Sequence, residues 1–289
     1  MKWESAKTWL IMAFLFLDCI LGWQVYSQRQ AQVAYVESYS DLLANTKTLL
    51  SEHGLSLEAP VPQGHDKLAV LKGTFADPSL VQLAGVAFPG IQQVHVDVTA
   101  AEAKLAPGTI QITDVGTWQV NYTTPLITNL QRPSDILKAV WQGNQYVSDA
   151  ASSVQPSDKP GLKRYNFTEK YQSYPIFDAT VAADVGQAKL WSFTQTAVVD
   201  IQTVGGAKPT ISALDALDSL ANSMDQMMGS QGGSIISVEI GYAHKVAGDS
   251  PPDTSAASAN YWFPVWRIVT PNTTYFVNAY TGEVNVPSK

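Results

Sequence analysis

The feature that most constrains this chain is an apolar stretch near its start, residues 9–26, WLIMAFLFLDCILGWQVY. As an α-helix it is about 27 Å long, close to the hydrocarbon thickness of one bilayer. Trp9 lies at one end and Trp23 and Tyr26 at the other, where amphipathic rings favour the membrane interface. The stretch therefore predicts a single transmembrane helix, preceded by a short segment at residues 1–8.

The orientation of this helix follows from the charges at its two ends. Lys2 and Lys7 precede it, and the first basic residue beyond it is Arg29, which predicts a cytoplasmic N-terminus and an extracytoplasmic body. A cleaved signal peptide and a buried helix of a soluble protein are the alternatives. We favour an uncleaved anchor because residues 24–30 offer no small-x-small cleavage site.

Asp18 interrupts the apolar stretch near its middle. A carboxylate at that depth costs roughly 2.5–3.5 kcal/mol, which the surrounding Leu, Ile, Phe and Val residues only narrowly outweigh. A polar group in lipid gains from a partner on another helix, although a carboxyl bonded to its own backbone is the alternative. At helical spacing, the candidate partner-binding face holds Phe14, Leu17, Asp18, Leu21 and Gly22.

Composition excludes several classes of protein. Charged residues make up 15% of the chain and its net charge is −7, whereas a duplex nucleic-acid binder normally has a basic face. One cysteine excludes a disulfide framework within the chain, and four scattered histidines exclude a Cys/His zinc cluster. The sequence therefore predicts neither a metal nor a cofactor.

Local patterns divide the rest of the chain into helices and strands. Helices are expected at residues 28–53, 132–142 and 212–228. The expected strands are 68–75, 92–98, 109–113, 117–123, 163–171, 176–185, 189–199, 235–242, 265–269 and 274–279. A polar, proline-bearing run at 150–161 predicts a boundary between domains at 27–155 and 156–289. Runs of strands separated by single helices predict an α+β class with antiparallel sheets.

The sequence offers little catalytic chemistry. It has no G-x-S-x-G, S-x-x-K, H-E-x-x-H, P-loop or G-x-G-x-x-G pattern, so no catalytic residue is predicted. The most distinctive stretch is the aromatic run from Tyr261 to Trp266, followed by Tyr275 and Phe276. Because residues 265–269 are apolar on both faces, we expect core packing there, with a binding patch as the alternative.

Five segments carry motifs of one known family. They are residues 1–26; Tyr174-Pro175-Ile176-Phe177-Asp178-Ala179; Ile211-Ser212-Ala213 with Ala216-Leu217; Ile240-Gly241-Tyr242; and the hairpin made by residues 264–268, 275–279 and 281–284. In this order and spacing they resemble the YycI (WalI) family of Gram-positive bacteria. The closing hairpin is also similar to PepSY-type domains. The family usually has Asn where this chain has Asp18, so any helix contact here is expected to be charge-sensitive.

The resemblance implies a single-pass membrane protein with an extracytoplasmic α+β body and no catalysis of its own. It also implies action with a YycH-like membrane protein on the sensor histidine kinase of the WalK–WalR (YycG–YycF) system, which controls cell-wall metabolism. Contacts would involve membrane helices and ectodomains. Two alternatives stay open: a module that binds a peptide or wall fragment through the aromatic hairpin, and an anchored hydrolase that uses His65, His95 or His244.

Overall fold

The computed structural model describes residues 17–18, 38–64, 66–91, 94–125, 129–224, 233–244 and 260–285. The chain divides into two compact units, residues 1–46 and 47–289. Of the predicted transmembrane segment only Leu17 and Asp18 belong to the described residues, and both are helical. Within the described ranges, every helix is too short or too polar to cross a bilayer.

The body of the protein is mostly β-sheet with a few helices. The helices are α1 (Tyr39–Glu52), α2 (Leu80–Ala87) and α3 (Ala213–Met224), with 3-10 turns at Pro133–Ala139 and Gly143–Gln145. The strands are β1 (Leu55–Leu57), β2 (Lys67–Phe75), β3 (His95–Asp97), β4 (Glu102–Leu105), β5 (Gly108–Asp114), β6 (Thr117–Tyr122), β7 (Tyr146–Ser148), β8 (Val154–Pro156), β9 (Lys163–Tyr171), β10 (Tyr174–Gly186), β11 (Lys189–Thr196), β12 (Val198–Pro209), β13 (Gly233–Ile235), β14 (Ser237–Ala243), β15 (Asn260–Val269), β16 (Thr274–Asn278) and β17 (Val284–Asn285).

One long sheet runs through the larger unit in the order β12-β2-β15-β14-β10-β11-β6-β5-β4-β3. The strand β10 joins its two halves, because its start pairs with β14 and its end pairs with β11. The strand β9 pairs along the other side of β10 and also carries β7 and β8. Only β10–β14 and the separate pair β1–β13 are parallel among the described strand pairs.

The first half of the sheet centres on β15. Residues 260–262 pair with β2, and the rest of the strand lies between β14 and β16. Trp262 and Leu71 are fully buried in this half, in a core shared with Ile176. The helix α3 contacts β15, β16 and β17, and its buried face carries leucines and alanines at helical spacing.

The second half of the sheet has its own core. Trp118 and Phe193 from neighbouring strands pack there with Phe88, which follows α2. The helix α2 begins at a capping box, in which the Ser79 hydroxyl accepts from the Gln82 main chain and the Gln82 side chain accepts from the Ser79 main chain. This cap satisfies main-chain groups that the first turn of a helix leaves unpaired.

The α+β class and the antiparallel character of the sheet are as the sequence predicts. The predicted helix at 132–142 is instead a 3-10 helix over Pro133–Ala139, whose C-cap Val140 is extended. The predicted domain boundary falls inside β8, which pairs with β9, and β2 from one side of it pairs with β12 and β15 from the other. Strands from both expected domains therefore interleave in one sheet.

Candidate functional site

The helix face proposed for partner binding is only partly described by the structure. Leu17 and Asp18 are helical and exposed. Phe14, Leu21 and Gly22 lie outside the described residues. The role of this face in partner binding therefore stays a prediction.

The aromatic run divides into a buried side and an exposed side. Trp262, Trp266 and Tyr275 are at most 3% exposed, and the indole nitrogen of Trp266 donates to the Ile211 carbonyl at 3.1 Å. The expectation of core packing is confirmed for these three rings. Tyr261 keeps 44% of its surface exposed. A surface built on this run therefore uses Tyr261 and Phe263.

The exposed side of the run continues across two neighbouring strands. Tyr261 pairs with Lys72 of β2, and Lys72 pairs in turn with Gln202 of β12. Phe263 is 37% exposed, and Val204, which pairs with Val70, is 40% exposed. We define the outer face as Tyr261, Phe263, Val70, Lys72 and Val204. With the exposed Gln202, which pairs with Lys72, this face carries four apolar side chains and two polar ones, and exposed aromatic rings of this kind are enriched in protein-binding patches.

A buried ion cluster lies farther along the same face of β15. The Arg267 guanidinium donates two parallel hydrogen bonds to Asp149, at 2.8 and 2.9 Å, and further bonds to Glu239. The guanidinium carbon lies 4.4 Å from the centre of the Phe177 ring. Two main-chain N–H groups, of Ala151 and Ser152, complete the shell of Asp149.

The electrostatics of this cluster favour both ionised partners. Burial alone raises the pKa of Asp149, but the hydrogen bonds and charge of Arg267 outweigh burial, so the pKa of that carboxyl lies below its usual value. Burial lowers the pKa of Arg267, and Asp149 and Glu239 more than reverse that effect. The cluster is thus a network of ionised side chains that links β15 to the segment after β7.

A second buried polar cluster surrounds Glu169, which is 1% exposed. Burial raises the pKa of Glu169 to about 7, although the Val198 N–H and the Tyr146 hydroxyl donate to its carboxylate. The Tyr146 hydroxyl also lies 2.8 Å from the Thr196 carbonyl and 3.1 Å from the amide nitrogen of Gln195. Glu169 is consequently a group whose protonation changes near neutral pH.

Of the histidines proposed for a hydrolase, His95 and His244 belong to the described residues. The ring of His244 lies 3.0 Å from the amide oxygen of Asn260, and the Asp178 carboxylate accepts from the His244 main chain. These contacts hold the ring without joining it to a carboxylate. His95 is exposed on β3, and His65 lies outside the described residues. Within the part of the chain that is described, no group of three residues is placed to hold a metal ion.

Sequence reasoning missed the contribution of Lys72 and Val204 to the outer face, because both depend on pairings with strands far away along the chain. The sequence does contain a pattern that places Tyr261 and Phe263 on one face of the strand. The alternation of residues 265, 267 and 269 extends backwards to 263 and 261, which places all five on one face of a strand. Continuing this two-residue alternation back to positions 263 and 261 places Phe263 and Tyr261 on the opposite face of the strand from Trp262.

Comparisons with protein families and with solved structures both return matches. The family model described as YycI protein matches residues 43–280. A comparison with curated proteins finds no match. Among solved structures, a crystal structure of an uncharacterized protein from Eubacterium rectale ATCC 33656 matches with 9% identity and a TM-score of 0.46, over 85% of this chain and 99% of that one.

Proposed function

Because this chain belongs to the YycI family, which is associated with the YycFG two-component system, we propose that it is a non-catalytic, membrane-anchored modulator of the YycG (WalK) sensor histidine kinase. A YycH-like membrane protein is its second partner. The observation that carries this proposal is the family match, which extends over residues 43–280 and so takes in most of the sheet. In this proposal residues 9–26 anchor the protein and the body is extracytoplasmic.

The first proposed contact is made inside the membrane. A single carboxyl at mid-bilayer depth is costly and gains most from a polar partner on a neighbouring helix. Gly22, one turn from Asp18, removes side-chain bulk and allows another helix to approach closely. The proposed contact face is the one defined by Phe14, Leu17, Asp18, Leu21 and Gly22.

The second proposed contact is made by the outer face of the body. Tyr261 and Phe263 are large, exposed and adjacent on one strand, and aromatic residues are enriched at the centres of protein interfaces. Lys72 beside them supplies one positive charge for an acidic group of the partner. Tyr261 pairs with Lys72 of β2, Phe263 pairs with Ala243 of β14, and the strand continues between β14 and β16, so the surface is preorganised.

The proposed mechanism is a shift in the population of kinase states. If the helix face and the outer face bind one state of the kinase more tightly than another, the difference in binding free energy sets the size of the shift. A tenfold preference corresponds to about 1.4 kcal/mol. Contacts that bind both states equally would leave kinase activity unchanged.

Co-purification from membranes tests both contacts. We expect the kinase to be recovered with the wild-type chain, less with Asp18→Leu, and less with Tyr261→Ser/Phe263→Ser. Asp18→Asn is the matched helix variant that separates polarity from charge, since it keeps a polar group at the same depth and removes only the ability to ionise. Val81→Ser/Val98→Ser is the matched body control, because both residues are exposed, at 60% and 85%, away from the outer face. Unchanged recovery with both test variants would refute the proposed contacts.

A further inference from the structure

A cleft of 340 Å³ lies between three segments of the second half of the sheet. Its floor is formed by Ile136 and Val185, which are both buried. Its rim includes the exposed residues Arg132 and Lys163 and the half-buried Tyr165. An apolar floor with a few polar groups at the rim is typical of small-molecule sites, whose volumes begin at about 300 Å³.

The walls of this cleft are held in place by main-chain pairing. Lys163 is the first residue of β9 and pairs with Val185 of β10. The turn from β10 to β11 adopts the left-handed conformation at Gln187 and Ala188, with φ of 53° and 56°. The Ala188 carbonyl accepts from the Leu130 N–H at 3.0 Å, which fixes the segment that leads to Arg132. Main-chain hydrogen bonds therefore hold in place the segments that carry Arg132 and Lys163.

The charges at this cleft are unbalanced. Its lining contains two cations and no carboxylate. Asp135 accepts from the Arg132 main chain and interacts with its charge, but its salt bridge is to Lys138, and among the described residues Lys163 forms no ion pair. In a chain with 25 acidic and 18 basic residues, a cleft lined by two cations and no carboxylate carries a local positive potential, which Asp135 beside Arg132 partly offsets.

We propose that this cleft binds a small anionic ligand that carries a carboxylate or a phosphate group. The Arg132 guanidinium can donate two parallel hydrogen bonds to either oxyanion, and the Lys163 ammonium adds a second positive charge. The Tyr165 hydroxyl, which has no hydrogen-bond partner among the described residues, supplies a further donor. Ile136 and Val185 contact the apolar part of the ligand. The site is independent of the outer face and of the helix face.

Isothermal titration calorimetry on the full-length chain in detergent micelles tests this inference. The probes are glycerol 3-phosphate and N-acetylalanine, with glycerol and N-acetylalanine amide as their neutral counterparts. We expect saturable binding of at least one anion and none of the neutral probes. Since charge-assisted hydrogen bonds are the strong ones, Arg132→Gln and Lys163→Gln should each weaken that binding about tenfold or more. Tighter binding of one anion assigns the ligand to phosphates or to carboxylates.

Lys170→Gln is the matched control, because Lys170 is exposed on the same strand as Lys163 but at its other end. It should bind the anion within twofold of wild type, and all three variants should melt at the wild-type temperature. The inference is overturned if neither anion binds saturably, if the neutral probes bind as tightly, or if Lys170→Gln weakens binding as much as Lys163→Gln does. None of these outcomes bears on recovery of the kinase, so the two proposals fail separately.

Discussion

Arg267 and Asp149 lie 118 residues apart in sequence and form a two-point ion pair with N–O distances of 2.8 and 2.9 Å. Both side chains are under 10% exposed. The pair joins β15, near the end of the chain, to the segment after β7, in the middle. Because each ion is buried, the removal of one leaves the other with an incomplete set of partners.

Asp149→Ala should lower the free energy of unfolding by about 3 kcal/mol, since it leaves a buried guanidinium with Glu239 as its remaining carboxylate. Urea denaturation followed by circular dichroism measures this loss. Asp158→Ala is the control: Asp158 also binds an arginine, at 2.9 Å, but its side chain is 85% exposed. That change should cost less than about 1 kcal/mol. Equal losses for the two variants would show that the burial of the Arg267 pair has no energetic consequence.

Glu169 should make the protein less stable as the pH rises from about 5 to 8. Burial raises the pKa of Glu169 to about 7 in the folded state, above the value of about 4.3 for an unfolded chain, so the folded state holds the proton more tightly. This contribution is complete below pH 4.3 and is lost as the pH passes 7. Glu169→Gln should therefore flatten the pH dependence and raise stability at pH 8 by about 4 kcal/mol at most.

The measurement for Glu169 is the urea midpoint between pH 5 and pH 8. Glu283→Gln is the control, because Glu283 is an exposed turn residue and its substitution should keep the wild-type slope. A Glu169→Gln protein with the wild-type slope would mean that the folded state carries Glu169 ionised over this range.

Gly241→Ala should destabilise the body by about 1–3 kcal/mol, because an added Cβ would lie 2.5 Å from the Pro175 carbonyl and 2.7 Å from the Phe177 ring. The neighbours belong to β10, where its start pairs with β14. Gly206→Ala is the control, since an added Cβ there meets no atom within 4 Å. Thermal melts compare the two. If the Gly241→Ala protein melts at the same temperature as the Gly206→Ala protein, β10 and β14 have room to move apart.

Trp262→Ala should lower the free energy of unfolding by about 3–5 kcal/mol, because it leaves a cavity under β15. Tyr261→Ser, one residue earlier, should change it by less than about 1 kcal/mol, because Tyr261 lies on the exposed side. Chemical denaturation of the two variants measures the difference. Similar losses would mean that Tyr261 is covered by another part of the chain, and would remove it from the outer face.

Local patterns were sufficient to predict most strands. The predicted strands at 117–123 and 274–279 end within one residue of those observed, whereas the strand predicted at 265–269 begins five residues earlier, at Asn260. The helix α2 was overlooked, although its capping signal, Ser79 followed by Gln82, can be read directly. It was missed because eight mostly apolar residues show no amphipathic period.

The relationships between distant residues could not be predicted from local patterns. Nothing near Asp149 in the sequence marks Arg267 as its partner, and nothing in residues 67–75 indicates that β12 and β15 flank them. For the same reason the sequence does not indicate the cleft lined by Arg132 and Lys163, since its lining comes from residues 130–136, 161–165 and 185–188, which only the fold brings together. The membrane contact was predicted on hydropathy and resemblance alone, and it needs the co-purification experiment.

The position of β2 between β12 and β15 has a consequence during translation. At roughly 5–20 residues per second, the ribosome takes about 6–25 s to travel from Phe75 to Val198, the first residue of a neighbouring strand. For that interval β2 has no strand on either side, and its apolar residues are open to other nascent chains. A chaperone that shields residues 67–75 should raise the yield of folded protein, and chains that stop before residue 198 should aggregate.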